Sequence, residues 1–211
     1  MGLRETKKLR TREEIAAQAM RLFVTRGFDH VTVAEVAAAA GVSEKTVFNY
    51  FPTKEDLFFD EVPERQRALV DAVRNRAPGV SILEALRKLN REQCTRLASP
   101  GFVHFARVIE ESQALKVKEL EVMSGFAQAL TGALLAEGID ERDVRTVASM
   151  LVSVHRQLFL SARALALTGK HGPAAARRLA ADSDRAFALM ERGLGDLGLP
   201  HGRKDRRAAT N

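Results

Sequence analysis

Apolar residues recur at three- and four-residue spacings along nearly the whole chain, and no run sustains the alternation that a half-buried strand needs. A chain patterned this way buries one stripe of each helix against another helix, so the expected fold class is all-α. Glycine and proline fall in the gaps between periodic stretches. Thr11 with Glu14 predicts a capping box at the start of a first helix, with Ile15, Ala19, Leu22 and Phe23 on one face and Gly27 at its end. Thr32 with Glu35 predicts a second, short helix carrying Val33, Val36, Ala37 and Ala40 inward, ended by Gly41. Ser43 caps a third helix over 44–50 with Val47 facing in. Pro52 and Thr53 open a longer fourth helix running through Leu57, Phe58, Val62, Leu69 and Val73. Later helices are expected at 81–98 behind a Ser81–Glu84 box, at 102–116, at 118–137, at 141–168 behind Asp140, and at 174–197 with Pro173 in its first turn.

Charge separates the chain into three parts. The net charge is +6, but residues 1–54 hold nine Lys/Arg against six Asp/Glu, residues 55–200 hold twenty of each, and residues 201–211 hold four against one. A basic excess confined to the ends points to a polyanionic partner there, with a solvated surface as the plainer alternative. The expected division is a head at 1–54 with a basic N-terminal arm, a larger helical domain at 55–200, and a basic, disordered tail at 201–211. A single cysteine, Cys94, rules out an internal disulfide, and no apolar run reaches the roughly 18–20 residues that cross a bilayer, so a cytoplasmic location is expected. The first ten residues lack the apolar stretch of a secretory signal.

Residues 32–51 fit a helix-turn-helix: a short helix, a glycine-containing turn and a second short helix. Ala37 is small where the second helix crosses, Gly41 supplies the left-handed backbone of the turn, and Val36, Ala40, Val42 and Val47 join the two helices. Glu44, Lys45, Thr46, Asn49 and Tyr50 then face outward, within reach of base edges and phosphates in a major groove. Arg4, Lys7, Lys8, Arg10 and Arg12 precede this unit as an arm suited to phosphates or a minor groove.

Four segments resemble the TetR family of bacterial regulators: Ile15-Ala-Ala-Gln-Ala-Met-Arg-Leu-Phe23, Arg26-Gly-Phe28, Thr32-Val-Ala-Glu-Val-Ala37, and the run from Ala40 to Phe58. The resemblance implies a three-helix head followed by a helical bundle for dimerisation and ligand binding. It implies that Thr32 and Val33 meet a phosphate through hydroxyl and backbone N–H. Lys45 and Thr46 would probe the groove, Asn49 and Tyr50 would contact backbone or base edges, and Lys54 would sit on a phosphate. Phe48 stands where such proteins often have Tyr, leaving a ring able to touch a thymine methyl, and Asn49 stands where His is common. The function so implied is a repressor that binds a palindromic operator as a homodimer and is released by a largely apolar small molecule. A ligand-independent DNA-binding regulator or an activator is the alternative.

In the larger domain Phe102, Phe105, Ile109, Met123, Phe126, His155 and Phe159 are candidate ligand contacts, although the same residues serve equally as ordinary core. The last two long helices are the expected dimer elements, carrying Val147, Leu151, Val154, Leu158, Phe159 and Leu165, then Leu179, Phe187, Met190 and Leu194. No nucleophile elbow, phosphate-binding glycine loop or His-Glu-x-x-His is present, and the five histidines are scattered, so neither an enzyme nor a metal or cofactor is expected. Cys94 is expected to be a buried small apolar residue.

Overall fold

The structure, a computed structural model, describes the backbone of residues 3–194 and the side chains of residues 5–193. The expected tail at 201–211 and the side chains of Arg4 and Leu194 lie outside the described residues. The ordered elements are α1 (Leu3–Arg26), α2 (Val33–Ala39), α3 (Glu44–Tyr50), α4 (Lys54–Phe58), α5 (Val62–Arg74), α6 (Ile82–Leu97), α7 (Pro100–Glu111), α8 (Gln113–Ala136), α9 (Val144–Leu167) and α10 (Pro173–Leu194). There is no strand among the described residues. Six of these helices start at a hydroxyl that accepts an otherwise unpartnered backbone N–H: Thr32, Ser43, Thr53, Ser81, Ser99 and Ser112.

The chain divides into two compact units. One comprises Met1–Pro63 and His104–Leu120, and the other Glu64–Val103 and Glu121–Asn211. The first therefore reaches past residue 54 and recruits a second segment from α7 and α8. Its core joins Ile15, Ala19 and Phe23 of α1, Phe28 and Val31 of the following loop, Val36 of α2, Val47 of α3, and Leu57 and Phe58 of α4, all at most 2% exposed. Phe23 and Phe28 meet at 4.9 Å between ring centres, and Phe58 stacks on Phe105 at 4.5 Å. Each ring so buried contributes about 1.5–3 kcal/mol. Two polar ties bind the second segment into this unit: the Ser112 hydroxyl donates to Asp29 Oδ1 at 2.8 Å, and Lys118 pairs with Asp56 at 3.1 Å.

In the second unit α10 packs on α6 and α9 around Leu86, Leu97, Leu151, Leu158, Leu179 and Phe187. The buried face of α6 repeats at Ile82, Leu86, Asn90 and Cys94, which carries one polar residue, Asn90, into the interior. Most of the apolar residues expected on the dimer elements belong to this unit's own core: Val147, Leu151, Val154, Leu158, Phe159, Leu179 and Phe187 are buried. Leu165 and Met190 are half-buried, and the large exposed apolar side chains of α9 and α10 are Met150, Leu167 and Leu189.

Four helix boundaries differ from the sequence expectations. α1 begins at Leu3, not Thr11, because residues 3–10 are good helix formers; Thr11 lies inside the helix and donates to Lys7 O at 3.0 Å. The expected fourth helix is two helices. Pro63 has no N–H to give Phe59 O, and its ring would crowd that carbonyl, so α4 stops and α5 starts afresh. The break placed between 116 and 118 falls at Ser112, whose hydroxyl accepts from Leu115 N and so starts α8. Asp140 does not cap α9; its carboxylate accepts from Arg142 N in the preceding turn, and Asp143 holds the cap position without a side-chain bond.

Candidate functional site

The turn between α2 and α3 is fixed by backbone. Gly41 has φ +66°, a region costly for a side chain, and Val42 N donates to Ala37 O at 3.0 Å. Ser43 then accepts from Thr46 N at 3.2 Å, and Val47, 1% exposed, pins α3 to the core. A seven-residue helix anchored by one buried residue presents its remaining faces outward. Glu44, Lys45, Phe48 and Asn49 are exposed, with the Phe48 ring 48% exposed. Thr46 is half-buried and its hydroxyl shares a 2.9 Å hydrogen bond with Ser43. Tyr50 and Val33 are half-buried and pack on the head core. Lys7, Lys8 and Arg10 are exposed on the first turns of α1, so the expected arm is helical.

Three side chains expected to meet DNA are engaged within the unit. Thr32 donates its N–H and its hydroxyl to Glu35 Oε2, at 2.8 and 2.9 Å. Lys54 Nζ donates to Phe28 O and Val31 O, each at 3.1 Å, and lies 4.2 Å from the Phe28 ring centre. It therefore clamps the α1–α2 loop instead of reaching outward. Arg12 donates to Asp60 O at 2.7 Å and covers the Phe51 ring. All three partnerships complete the head's own hydrogen bonding before any ligand arrives.

The Thr32 N–H, then the Arg26 guanidinium at 2.7 Å, then the Thr32 hydroxyl hold the Glu35 carboxyl at about 2, below its ordinary 4.5. In the other unit His155 is 2% exposed and its imidazole is lowered to about 4, first by burial and then by the charges of Arg65 and Arg96. Both groups bind fewer protons folded than unfolded, so both favour the fold at neutral pH and withdraw that support on acidification. Stability is expected to fall first between pH 6.5 and 4 through His155, and then between 4.5 and 2 through Glu35. Urea midpoints measured against pH should lose the upper step in His155→Phe and the lower one in Glu35→Gln; unchanged profiles would contradict these assignments.

The candidate ligand residues separate. Phe105 and Ile109 pack in the core of the first unit, and the other five lie in the second. In the second unit Phe102, Phe159, His155 and Phe126 form a chain of rings with centres 6.3, 5.2 and 5.4 Å apart, and Arg65 lies 5.1 Å from the Phe159 ring centre. Met123 is half-buried in the same unit. His155 Nδ1 bonds Asn90 Oδ1 at 2.9 Å, and Asn90 Nδ2 donates to Ser183 Oγ at 3.4 Å. This network was missed in the sequence because its members lie 65 and 93 residues apart. Elsewhere a groove of about 390 Å³ at the α9–α10 turn is lined by Leu165, Lys170, His171 and Arg178, and by none of the candidates. Cys94 is buried and donates to Asn90 O at 3.2 Å; burial pushes its thiol pKa up. Among the described residues no His, Cys, Asp or Glu cluster is suited to a metal, and no helix is long and apolar enough to cross a membrane.

An all-helical chain whose first unit carries a tight helix-turn-helix with a polar outward face has the build of a DNA-binding regulator. Residues 15–60 match the family described as bacterial regulatory proteins, tetR family. The chain is 29% identical over 153 residues to the HTH-type transcriptional regulator TcmR of Streptomyces glaucescens, covering 67% of each chain. It is 44% identical over 54 residues to the HTH-type transcriptional regulator LuxR of Vibrio harveyi, 26% of each. Among solved structures, the TetR-family repressor FadR of Thermus thermophilus, in complex with lauroyl-CoA, aligns at TM-score 0.53 and 25% identity over 95% of this chain and all of that one. The first unit thus carries the helix-turn-helix region of the tetR family of bacterial regulatory proteins, and the chain is similar to TetR-type DNA-binding transcriptional regulators.

Proposed function

We propose that the protein is a repressor that binds a two-fold symmetric operator as a homodimer and leaves it when a largely apolar small molecule occupies the helical domain. Residues 1–54 serve as the DNA-binding part and 55–200 as the ligand-binding and dimerisation part. The supporting observation is the outward face of α3: Lys45, Phe48 and Asn49 project together from a helix whose only buried residue is Val47. Glu44 and Thr46 flank them, Val33 and Tyr50 border the helix pair, and Lys7, Lys8 and Arg10 add cations on α1. A dimer places two such helices in successive major grooves about 34 Å apart. A bound acyl-CoA in the FadR structure makes an apolar effector a natural candidate here.

The test is fluorescence anisotropy with the protein's own upstream DNA against nonspecific competitor, repeated with a panel of lipophilic compounds. Specific retention that one compound abolishes supports the reading. Indifference to the upstream fragment removes the repressor, and unchanged affinity across the panel removes the effector. Deleting residues 1–10 is expected to weaken binding and to lower the slope of log affinity against log salt by about one for each phosphate left without its cation. An unchanged slope would exclude α1 from the interface.

A further inference from the structure

Among the described residues of the second unit, Arg87 Nε, Gln93 Oε1 and His155 Nε2 are buried without a hydrogen-bond partner, and of the three side chains only His155 is itself buried. His155 Nε2 is fully buried and has no hydrogen-bond partner, while the other ring nitrogen is held by Asn90. Leaving such an atom unpaired costs a folded protein about 1–3 kcal/mol, a cost that persists where the atom has another use. Its surroundings are aromatic. The imidazole lies between Phe126 and Phe159, and Phe102 extends the wall beyond Phe159.

The network behind the ring sets which kind of partner the free nitrogen needs. Asn90 gives its N–H to Ser183, so its carbonyl oxygen faces His155 Nδ1. That oxygen only accepts, so Nδ1 carries the imidazole proton. Nε2 is then a bare lone pair, and the low pKa keeps it bare at neutral pH. A thioester or ester carbonyl offers such an atom nothing, whereas a hydroxyl or N–H donates to it. The flat rings alongside favour a flat partner.

We propose that His155 Nε2 is the polar anchor of the effector site, accepting a hydrogen bond from the hydroxyl of a planar, mostly apolar aromatic alcohol. The inference rests on the ligand-binding reading above and specifies the ligand's chemistry. Asn90 and Ser183 are positioning residues that fix the tautomer without touching the ligand.

The experiment compares 1-naphthol with 1-methoxynaphthalene, which keeps the ring system and removes the donor, by calorimetric titration of the full chain. Wild type is expected to bind the alcohol about tenfold more tightly, the yield of one neutral hydrogen bond. His155→Phe should bind both probes alike. Should that variant fail to fold, ¹⁵N-imidazole NMR of the wild type supplies the same information: Nε2 unprotonated in the free protein and shifted by 1-naphthol but not by its ether. Equal affinity for the two probes would overturn the donor requirement while leaving the effector reading intact. Binding of neither probe, a protonated Nε2, or selectivity that survives in His155→Phe would each overturn the anchor itself.

Discussion

Replacing Arg76 with alanine is expected to lower the free energy of unfolding by about 3–5 kcal/mol, the range for breaking a buried ion pair from one side. The Arg76 and Glu137 side chains are only 5% and 9% exposed, and Arg76 Nη2 donates to Glu137 Oε2 at 2.6 Å. The same guanidinium donates to Val73 O at 2.5 Å and to Val80 O at 3.0 Å. It therefore joins the end of α5, the loop before α6 and the end of α8. Alanine removes the cation from beside a buried carboxylate and takes donors from two backbone carbonyls. In a chain of this length the melting temperature should drop on the order of 10 °C. The double variant Arg76→Met with Glu137→Leu should recover the part of the loss due to the unpaired buried carboxylate, but not the part due to the donors missing at Val73 O and Val80 O. Urea titrations of the wild type, single and double variants decide the matter. A loss below about 1 kcal/mol in Arg76→Ala would put the pair with ordinary surface bridges.

What sequence could reveal followed the range of each interaction. The Thr32–Glu35 box, the Ser43 cap and the glycines at 27 and 41 act over three or four residues, and the structure has each of them. Their side-chain types leave few conformational choices, so the helix-turn-helix was legible down to Val47 facing in. The start of α1 was not, because a capping-box pattern at Thr11 competes with eight preceding residues that also favour helix, and local pattern has no means of choosing. The Pro63 break was readable and the apolar periodicity through Leu57, Val62 and Leu69 overrode it.

The roles of single cations were hidden for a different reason. Lys54 reaches carbonyls 23 and 26 residues away, and Arg12 one 48 residues away, so their inward turn depends on tertiary structure alone. Phe105 and Ile109 illustrate the same limit. Periodicity marked them as buried but not in which unit, and the head's need to cover Phe58 placed Phe105 there. The resemblance to regulators supplied the function class, since no local rule distinguishes an exposed Lys45 that meets DNA from one that meets water.

That distinction gives the second large effect. Lys45→Ala combined with Asn49→Ala is expected to weaken operator binding by about 2–4 kcal/mol, on the order of a hundredfold or more, with the unfolding midpoint unchanged. Both side chains are exposed one turn apart on α3, and neither contributes to the head core. Truncating them removes outward-facing donors and acceptors and leaves Val47, the Ser43 cap and the Gly41 turn as they were. Neighbouring side chains in one groove rarely act additively, so the pair is measured together with each single variant. Binding to nonspecific DNA should fall much less, chiefly through the missing Lys45 charge, and the salt slope should drop by about one per protomer. Equal losses for operator and nonspecific DNA would make Lys45 and Asn49 phosphate contacts only. Full operator affinity in the double variant would place the reading face elsewhere on the head.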